Sequence, residues 1–597
     1  MDAATCPEPP SFNELVAMLP EALRRDKRED LEDSDYILTQ VRVDLRHHFN
    51  TFASIDRLPP EIFSCIFEYV VQPSEDRTIK SHKPATERLP EMRALLALSQ
   101  VSSKWRAIAL RTPSLWTHVD TRHEATLEAY LARSRSLPLR VHMIAGMNEL
   151  VGRLLVQHGH RIRRLDFVEG PPWGHSSASI PSLLECLTVA ADCDWLPNEE
   201  HDVIQNVCLH SRLKALALQP FCSEVPGISF PFLTHLHLSR FHERALSEDA
   251  IFYLTSLLAS TPALQFLILS GLQIESIFTS VSPPVVLPSL RALTCLNSDM
   301  GAALRFLESL ELPEDALVRL DSLHHFASDP PEAQFALPLP SKSLVASFDY
   351  LEVVADEKEL HVVAQGAHSG LWIRASFIQA HDAPQSSEDQ WTTCVVGLGT
   401  VLSLASIKTL HICVLDPDLL PTLLPLLPNL VELAVRINPR FTGYDEGPCW
   451  SLLDCLYTTL TPESEETVCC PVLQTLAVEV PTEDPDRFRL PDAPERYNKV
   501  RTVLEIVAAR SSMGKPLRHL AMQPYCDCPA GRVTMMETFR TALAPFEEYV
   551  AIVEVVESVK SMLCPLEMRD MWDVAGAEEY WELAPGERPE YRLPWDE

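Results

Sequence analysis

The chain has 597 residues, which exceeds the roughly 250 to 300 residues that one hydrophobic core supports, so we expect several units or a repetitive fold. Hydrophobic residues make up 46% and charged residues 22%. These shares are typical of globular proteins, so the composition excludes broad disorder. The formal net charge of −33 repels phosphate groups, so neither nucleic acid nor an anionic membrane is an expected partner.

Targeting signals and disulfide patterns are both missing from the sequence. The opening residues, MDAATCPEPPSFNELV, lack a basic stretch followed by an apolar run, and no stretch stays apolar over the ~18 residues of a membrane helix. The cysteines are scattered, and several, such as Cys65, Cys186 and Cys413, lie in apolar strings typical of reduced, buried thiols. We expect a soluble protein of the cytoplasm and/or nucleus.

The first predicted unit, residues 1–54, is a helical segment. Apolar residues recur every four positions between residues 13 and 52, among charged neighbours. They are Ile37, Val41, Leu45 and Phe49. This spacing predicts one apolar stripe on a helix, and the stripe needs a partner surface.

Two short helices are predicted between residues 55 and 118. In IDRLPPEIFSCIFEYV a helix should begin near Pro59, because proline is tolerated in the first turn. Its apolar face comprises Ile62, Phe63, Ile66, Phe67 and Val70. The polar, proline-containing stretch 71–91 predicts a loop. In LLALSQVSSKWRAIAL a second face comprises Leu95, Leu98, Val101, Trp105 and Ile108, and the segment closes with Pro113, Leu115 and Trp116.

These residues resemble the F-box, a helical motif that combines a Leu-Pro-x-Glu helix, a Leu-x-x-Val run leading to Lys-Trp-Arg, and an isolated Trp. The matching residues are Leu58, Pro59, Glu61, Leu98, Val101, Lys104, Trp105, Arg106 and Trp116. Two departures are the long connection 71–91 and Ser102, which stands where the family often has Cys. A bundle this small is marginally stable alone and gains from a partner.

The resemblance implies binding to a Skp-type adaptor that links F-box proteins to a cullin scaffold. The residues expected to bind the adaptor are Leu58, Pro59, Ile62, Ile66, Leu98, Val101, Trp105, Leu115 and Trp116. Some of them must also form the inside of the local bundle.

Residues 119–530 are predicted to form an irregular solenoid that resembles leucine-rich repeats. A helix is expected over 122–135, followed by a strand with Leu139, Val141 and Met143 alternating. A template with proline two residues before an apolar-x-x-Leu-x-apolar run recurs more often than chance, which supplies only about one or two matches. It begins at Pro231, Pro262, Pro288, Pro428 and Pro471. The steps of 31 and 26 residues between the first three lie near the ~20 to 29 residue period of such repeats.

The solenoid hypothesis places a binding surface on its strands. Repeats of this kind stack and leave a concave strand surface, and the gaps 296–345 and 355–405 predict divergent or inserted units. The outward strand positions expected to bind a target protein are His237, Ile268, Thr294 and His411, with Ala434 and Ala521 on equivalent positions. Half of these positions could instead touch only connecting loops. The expected fold class is therefore α+β or an α/β solenoid behind a small helical F-box.

Residues 531–597 are predicted to form a C-terminal helix and an acidic tail. Helical spacing returns over 533–563, and residues 565–597 hold ten acidic and three basic residues with Trp572, Trp581 and Trp595. This tail could dock on another protein, dock on the concave face of its own arc, or remain solvated.

Catalytic and metal-binding motifs are weak. GHSSA at 174–178 resembles a nucleophile elbow around Ser176 but follows Pro-Pro-Trp rather than a strand, and Cys469, Cys470, Cys526 and Cys528 lack zinc-site spacing. We predict no catalytic residue, metal or cofactor. The predicted function is the substrate-recognition subunit of a cullin-type (SCF) ubiquitin ligase; the alternatives are an interaction scaffold without ubiquitin transfer and, distantly, a serine hydrolase.

Overall fold

A computed structural model provides the structure of the protein. It describes scattered residues between 11 and 24 and then residues 28–71, 93–121, 124–144, 154, 156–168, 183–190, 212–219, 229–239, 248–272, 284–326, 348–355, 359–378, 402–413, 419–436, 449–461, 468–481, 499–525, 543–556, 574–577 and 579–581. The chain divides into two compact units. The first comprises residues 1–74, 90–119 and 125–137, and the second comprises residues 75–89, 120–124 and 138–597.

The first unit is helical. Its α-helices are α1 (Arg28–Thr51), α2 (Pro60–Val71), α3 (Arg93–Val101), α4 (Ser103–Arg111) and α5 (Glu124–Arg133), with 3-10 turns at Ser54–Arg57 and Pro113–Trp116. The helices α2, α3 and α4 pack against one another. Their shared core holds Phe63, Phe67, Leu95, Ile108, Leu115 and Trp116. The predicted loop 71–91 falls almost wholly outside the described residues.

Local sequence explains where two of these helices begin. Pro60 occupies the first position of α2, where no helical hydrogen bond needs its missing N–H, and the Pro59 carbonyl accepts from the N–H groups of Ile62 and Phe63. At α4, the Ser102 hydroxyl accepts from the Trp105 N–H at 3.1 Å. Ser102 is therefore a side-chain N-cap, which gives a physical reason for serine at this position.

The second unit is built on a large, mostly parallel sheet. Its strands are β2 (Leu139–Ile144), β3 (Ile162–Val168), β4 (Cys186–Ala190), β5 (Ala215–Gln219), β6 (His235–Ser239), β7 (Phe266–Ser270), β9 (Ala292–Leu296), β11 (Leu317–Phe326), β12 (Tyr350–Ala355), β13 (Glu359–Gln365), β14 (Gly370–Ile378), β15 (Thr409–Cys413), β16 (Glu432–Val435), β17 (Thr475–Pro481), β18 (His519–Tyr525) and β19 (Ile552–Val555). The short strand β1 (His118–Asp120) precedes them, and β8 (Val285–Val286) and β10 (Leu310–Glu311) form a separate parallel pair.

Strands that follow one another along the chain are mostly neighbours in the sheet. From β2 to β11 and from β12 through β15 to β19 the pairings are parallel. Parallel neighbours require a crossover connection, and several are helices. These are α6 (Glu248–Ala259), α7 (Met300–Glu308), α8 (Leu419–Leu423), α9 (Cys449–Leu460) and α10 (Lys499–Ser512).

The proline template is a repeated turn that leads into a strand. In the turns at Pro231, Pro262 and Pro288, the leucine two positions after the proline donates its N–H to the carbonyl of the residue before the proline, at 3.1 to 3.2 Å. The same bond recurs after Pro428 and Pro471. Proline at the second position of a turn is favoured because its φ is already fixed. The leucines that follow are buried in adjacent strands and line the core.

Two parts of the sheet bear on expectations drawn from the sequence. In the predicted gaps, β13 pairs antiparallel with both β12 and β14, so an inserted antiparallel segment lies between parallel stretches. The helical spacing predicted over 533–563 is wrong for the described part of that range. There a 3-10 turn at Ala544–Glu548 leads into β19, which pairs with β18 and carries the sheet beyond residue 530. Alternation in IVEV suits a strand as well as a short helix.

Candidate functional site: two protein-binding surfaces

Exposed apolar side chains mark one surface on the first unit. On α2, Phe63 and Phe67 are buried, whereas Ile62, Tyr69 and Val70 are 45%, 81% and 47% exposed. These three fall on one helical stripe with Ile66, which is half-buried. Large apolar side chains left in water on a small helical unit are typical of a protein-binding surface. We call this stripe, with the exposed Val101 of α3, the α2–α3 surface.

The predicted adaptor-binding residues divide between this surface and the interior. Pro59, Ile62 and Val101 are exposed, and Leu58, Ile66, Leu98 and Trp105 are half-buried. Tyr69 and Leu96 are exposed apolar residues that sequence reasoning missed. Tyr69 could have been found from its spacing of seven residues from Ile62, which returns it to the same helical face.

Leu115 and Trp116 require a correction, because both are only 2% exposed. The Trp116 Nε1 donates to the Ala109 carbonyl at 2.8 Å. Its ring meets the Tyr130 ring edge-on with centroids 4.9 Å apart, and the Arg133 guanidinium lies 4.3 Å from its centroid. These contacts place Leu115 and Trp116 in the core of the unit, where they support the surface without lying on it.

The Lys-Trp-Arg residues hold the helices together. The Trp105 ring packs against the rings of Phe63 and Phe67, with centroids 5.4 and 5.1 Å apart, and its Nε1 approaches the Asp56 carboxylate at 3.4 Å. Lys104 donates to the Asp56 carbonyl and lies over the Phe63 ring. Arg106 donates to a carbonyl of α3 at 3.0 Å. The motif thus fixes α4 against α2, α3 and the turn that precedes α2.

The predicted target-binding residues lie together on one row of the large sheet. Neighbouring strands place His237, Ile268 and Thr294 side by side. The row continues through Arg319, Trp372, Val363 and Glu352 to His411, Ala434, Ala477 and Ala521. We call the side of the sheet that carries this row, opposite the leucine-lined core, the second face.

Burial on the second face varies along the row. Ile268 and Thr294 keep partial exposure, whereas His237 and His411 are 6% and 7% exposed. Burial disfavours the charged imidazole and lowers the pKa of His237 to about 4 and that of His411 to about 3. The His411 Nδ1 is 2.7 Å from the Tyr350 hydroxyl. Both imidazoles are therefore neutral at pH 7.

Buried ion pairs occupy other positions of the second face. Asp166 lies 2.8 Å from the Arg164 guanidinium and 3.3 Å from the His142 imidazole. Burial alone would raise the pKa of Asp166, but these partners outweigh it and the pKa lies below its ordinary value. Arg436 and Glu479 form a further pair at 3.2 Å. A face with both signs of charge suits a protein ligand better than a phosphate-rich one.

One end of the second face is covered by residues 574–577 and 579–581, which we call the Trp581 segment. Trp581 is 2% exposed and lies against Cys186, Ala215 and Ala217. Its Nε1 donates to the Thr188 hydroxyl at 3.1 Å. Of the three possibilities raised for the tail, docking on its own sheet is therefore the one that these residues adopt.

The catalytic and metal-binding candidates yield no site in the described residues. Ser176, Cys526 and Cys528 lie outside those residues. The sulfurs of Cys469 and Cys470 are 3.7 Å apart, and Arg510 donates to both of their carbonyls. Within the ranges given above, no group of three or more metal-ligating side chains is gathered in one place. A helix long and apolar enough to cross a membrane is likewise absent from those ranges.

Comparison with known proteins bears on the first unit. No curated protein matches the chain. A protein-family model described as F-box-like matches residues 55–122, which include α2, α3, α4 and the turn that carries Trp116. The chain therefore carries an F-box-like domain at residues 55–122.

Proposed function

We propose that this protein is a non-catalytic target-recognition subunit of a cullin-type (SCF) ubiquitin ligase, working in the cytoplasm and/or nucleus. The F-box-like domain binds a Skp-type adaptor, and the sheet unit acts as an irregular leucine-rich-repeat-like arc that holds a target protein. Its contribution to ubiquitin transfer is proximity, since it brings target lysines near the ubiquitin-loaded partner.

The observation that carries the proposal is the coincidence of the F-box-like match with the α2–α3 surface. Ile62 and Val101 are exposed at positions where the F-box resemblance implies adaptor contact. Trp105 is half-buried and packs on Phe63 and Phe67, so it orients α2 as well as facing a partner. A rigid apolar surface of this kind loses little conformational entropy on binding.

The target-binding half of the proposal is supported by the row of strand positions on the second face. His237, Ile268 and Thr294 are neighbours on consecutive strands, so one extended target segment could touch all three. Backbone spacing of about 4.8 Å between strands sets the reach of such a segment. His411 lies farther along the same row.

The test is adaptor capture with matched variants of the full chain. Ile62→Ala together with Val101→Ala should weaken adaptor and cullin capture by about 30-fold or more, as expected for truncated hot spots. Val156→Ala is the matched control, because Val156 is an 80% exposed aliphatic residue in the other unit. Adaptor capture that is equal in all three proteins would refute the surface assignment.

Reconstituted ubiquitin transfer separates this proposal from a scaffold role. A receptor should increase ubiquitin conjugation of its captured partners when adaptor and cullin are present. Capture of adaptor and partner without conjugation would instead support the interaction scaffold.

A further inference from the structure

The Trp581 segment contacts the second face chiefly through its backbone carbonyls. Arg164 on β3 donates to the Tyr580 carbonyl at 2.7 Å, and Arg291 beside β9 donates to the Ala575 carbonyl at 3.2 Å. Between them, the His235 Nε2 lies 2.8 Å from the Gly576 carbonyl and donates its proton. The segment thus crosses the strands from β9 towards β3 and satisfies three side-chain donors of the sheet.

Two aromatic side chains anchor the segment: Trp581, which is 2% exposed, and Tyr580, whose ring lies 4.8 Å from the His235 ring. Cys186, Ala215 and Ala217 are small residues on adjacent strands, and together they leave a shallow bed that the Trp581 indole fills. Thr188 accepts the indole N–H, and the rings of His235 and His237 meet the indole edge-on at centroid distances of 6.5 and 6.2 Å. A buried aromatic anchor with satisfied carbonyls around it is the usual chemistry of peptide recognition.

Gly576 gives the segment its path over β7. Its φ is +93°, a backbone conformation that side chains other than glycine rarely adopt. The position where a Cβ would stand lies 3.6 Å from the Phe266 ring, over which the Arg291 guanidinium also lies. The backbone therefore bends close over an aromatic ring at Gly576, whose own carbonyl accepts from His235.

The charge of the two sides is complementary. Arg164 and Arg291 donate to the carbonyls of Tyr580 and Ala575, and the sequence around these two residues, 565–597, holds ten acidic and three basic residues. Of these three donors, Arg164 is already paired with Asp166 and burial lowers the pKa of His235, so the positive charge at this site comes chiefly from Arg291. Attraction of this kind favours an acidic ligand and weakens with salt.

We propose that the second face of β3–β9 is a binding site for an acidic, tryptophan-containing peptide, and that its resident ligand is the Trp581 segment of the same chain. The site includes His237, so a target protein that uses this end of the row must displace the segment. This last step rests on the proposed function, whereas self-occupancy of the site does not.

The tether makes the resident ligand an effective competitor. A ligand on the same chain acts at an effective concentration in the millimolar range, so a free peptide binds only the fraction of molecules in which the segment has left. Removing the indole should weaken the internal contact by about 30-fold or more and expose the site to added peptide by a similar factor.

The experiment measures binding of a fluorescently labelled peptide, VAGAEEYWEL (residues 574–583), to the full chain. We expect the Trp581→Ala protein to bind it at least tenfold more tightly than the wild type does. Gly576→Ala, which keeps the indole but strains the bend, should give an intermediate affinity. The same peptide with alanine in place of its tryptophan should bind neither protein.

Two further variants keep the result interpretable. Ala217→Phe added to Trp581→Ala fills the indole bed and should abolish peptide binding, and thermal unfolding of each variant verifies that the sheet unit is folded. Equal affinity of wild type and Trp581→Ala, or binding that persists after Ala217→Phe, would overturn the proposal. Adaptor capture by the same variants should stay at the wild-type level. Peptide binding therefore tests the Trp581 site, and adaptor capture tests the F-box assignment, independently of each other.

Discussion

Trp116 and Ile62 should respond in opposite ways to truncation, because one lies in the core and the other on the α2–α3 surface. Trp116 is 2% exposed, and its indole donates to the Ala109 carbonyl. Trp116→Ala leaves a cavity and removes one of the two hydrogen bonds that the Ala109 carbonyl accepts, the other coming from the Thr112 N–H, which should lower the free energy of unfolding of the first unit by about 3 to 5 kcal/mol. Ile62 is 45% exposed, so Ile62→Ala should change that free energy by less than about 1 kcal/mol.

Hydrogen exchange of the full chain measures both effects locally. Since about 1.4 kcal/mol is tenfold in an equilibrium constant, Trp116→Ala should speed amide exchange in α2 and α4 by roughly two to three and a half orders of magnitude. Ile62→Ala should leave exchange in these helices within about fivefold of the wild type while weakening adaptor capture. Unchanged exchange in Trp116→Ala would refute the placement of Trp116 in the core, and fast exchange in Ile62→Ala would refute the placement of Ile62 on the surface.

Three further predictions concern the sheet unit and a helix cap. Burial lowers the pKa of His237 to about 4, so the folded state keeps it neutral while the unfolded state takes up a proton below about pH 6.5. The free energy of unfolding therefore decreases as the pH is lowered from about 6.5 towards 4. By pH 5 His237 should contribute a loss of about 2 kcal/mol, measured as a drop in the urea midpoint relative to neutral pH. In His237→Asn that drop should be smaller. Pro428→Ala should cost about 0.4 to 1 kcal/mol by freeing the unfolded chain, measured by the same urea titration. Ser102→Ala should cost about 1 kcal/mol through loss of the α4 cap, detected as faster exchange in α4, whereas Ser102→Thr should retain most of it.

Local chemistry made part of the fold predictable. The turns at Pro262 and Pro428 follow from the fixed φ of proline beside an apolar run, and the helix at Pro60 follows from proline in a first turn. Alternation placed Leu139, Val141 and Met143 on one side of a strand, and all three are fully buried. In each case the signal lies within a few residues of the element it predicts.

The rest depends on partners distant in sequence. Leu115 and Trp116 look like surface residues of a motif, but Trp116 is enclosed by Tyr130 and Arg133, which lie outside that motif. The row from His237 to His411 is continuous only because β13 bridges two parallel stretches; spacing predicted an inserted or divergent unit at 355–405 but not that its strand runs antiparallel. The Trp581 segment is anchored by its indole, but its path over the strands is set by carbonyl contacts, which every residue can make, so its composition does not indicate where it docks.

The most direct test of the central claim is hydrogen exchange of the full chain with and without a Skp-type adaptor. If the α2–α3 surface binds the adaptor, saturating adaptor should slow exchange in α2 and α3, the helices that carry Ile62, Tyr69 and Val101. Exchange in β15–β18 of the sheet unit should stay unchanged. Protection that is absent from α2 and α3, or that appears in those strands instead, would contradict the account.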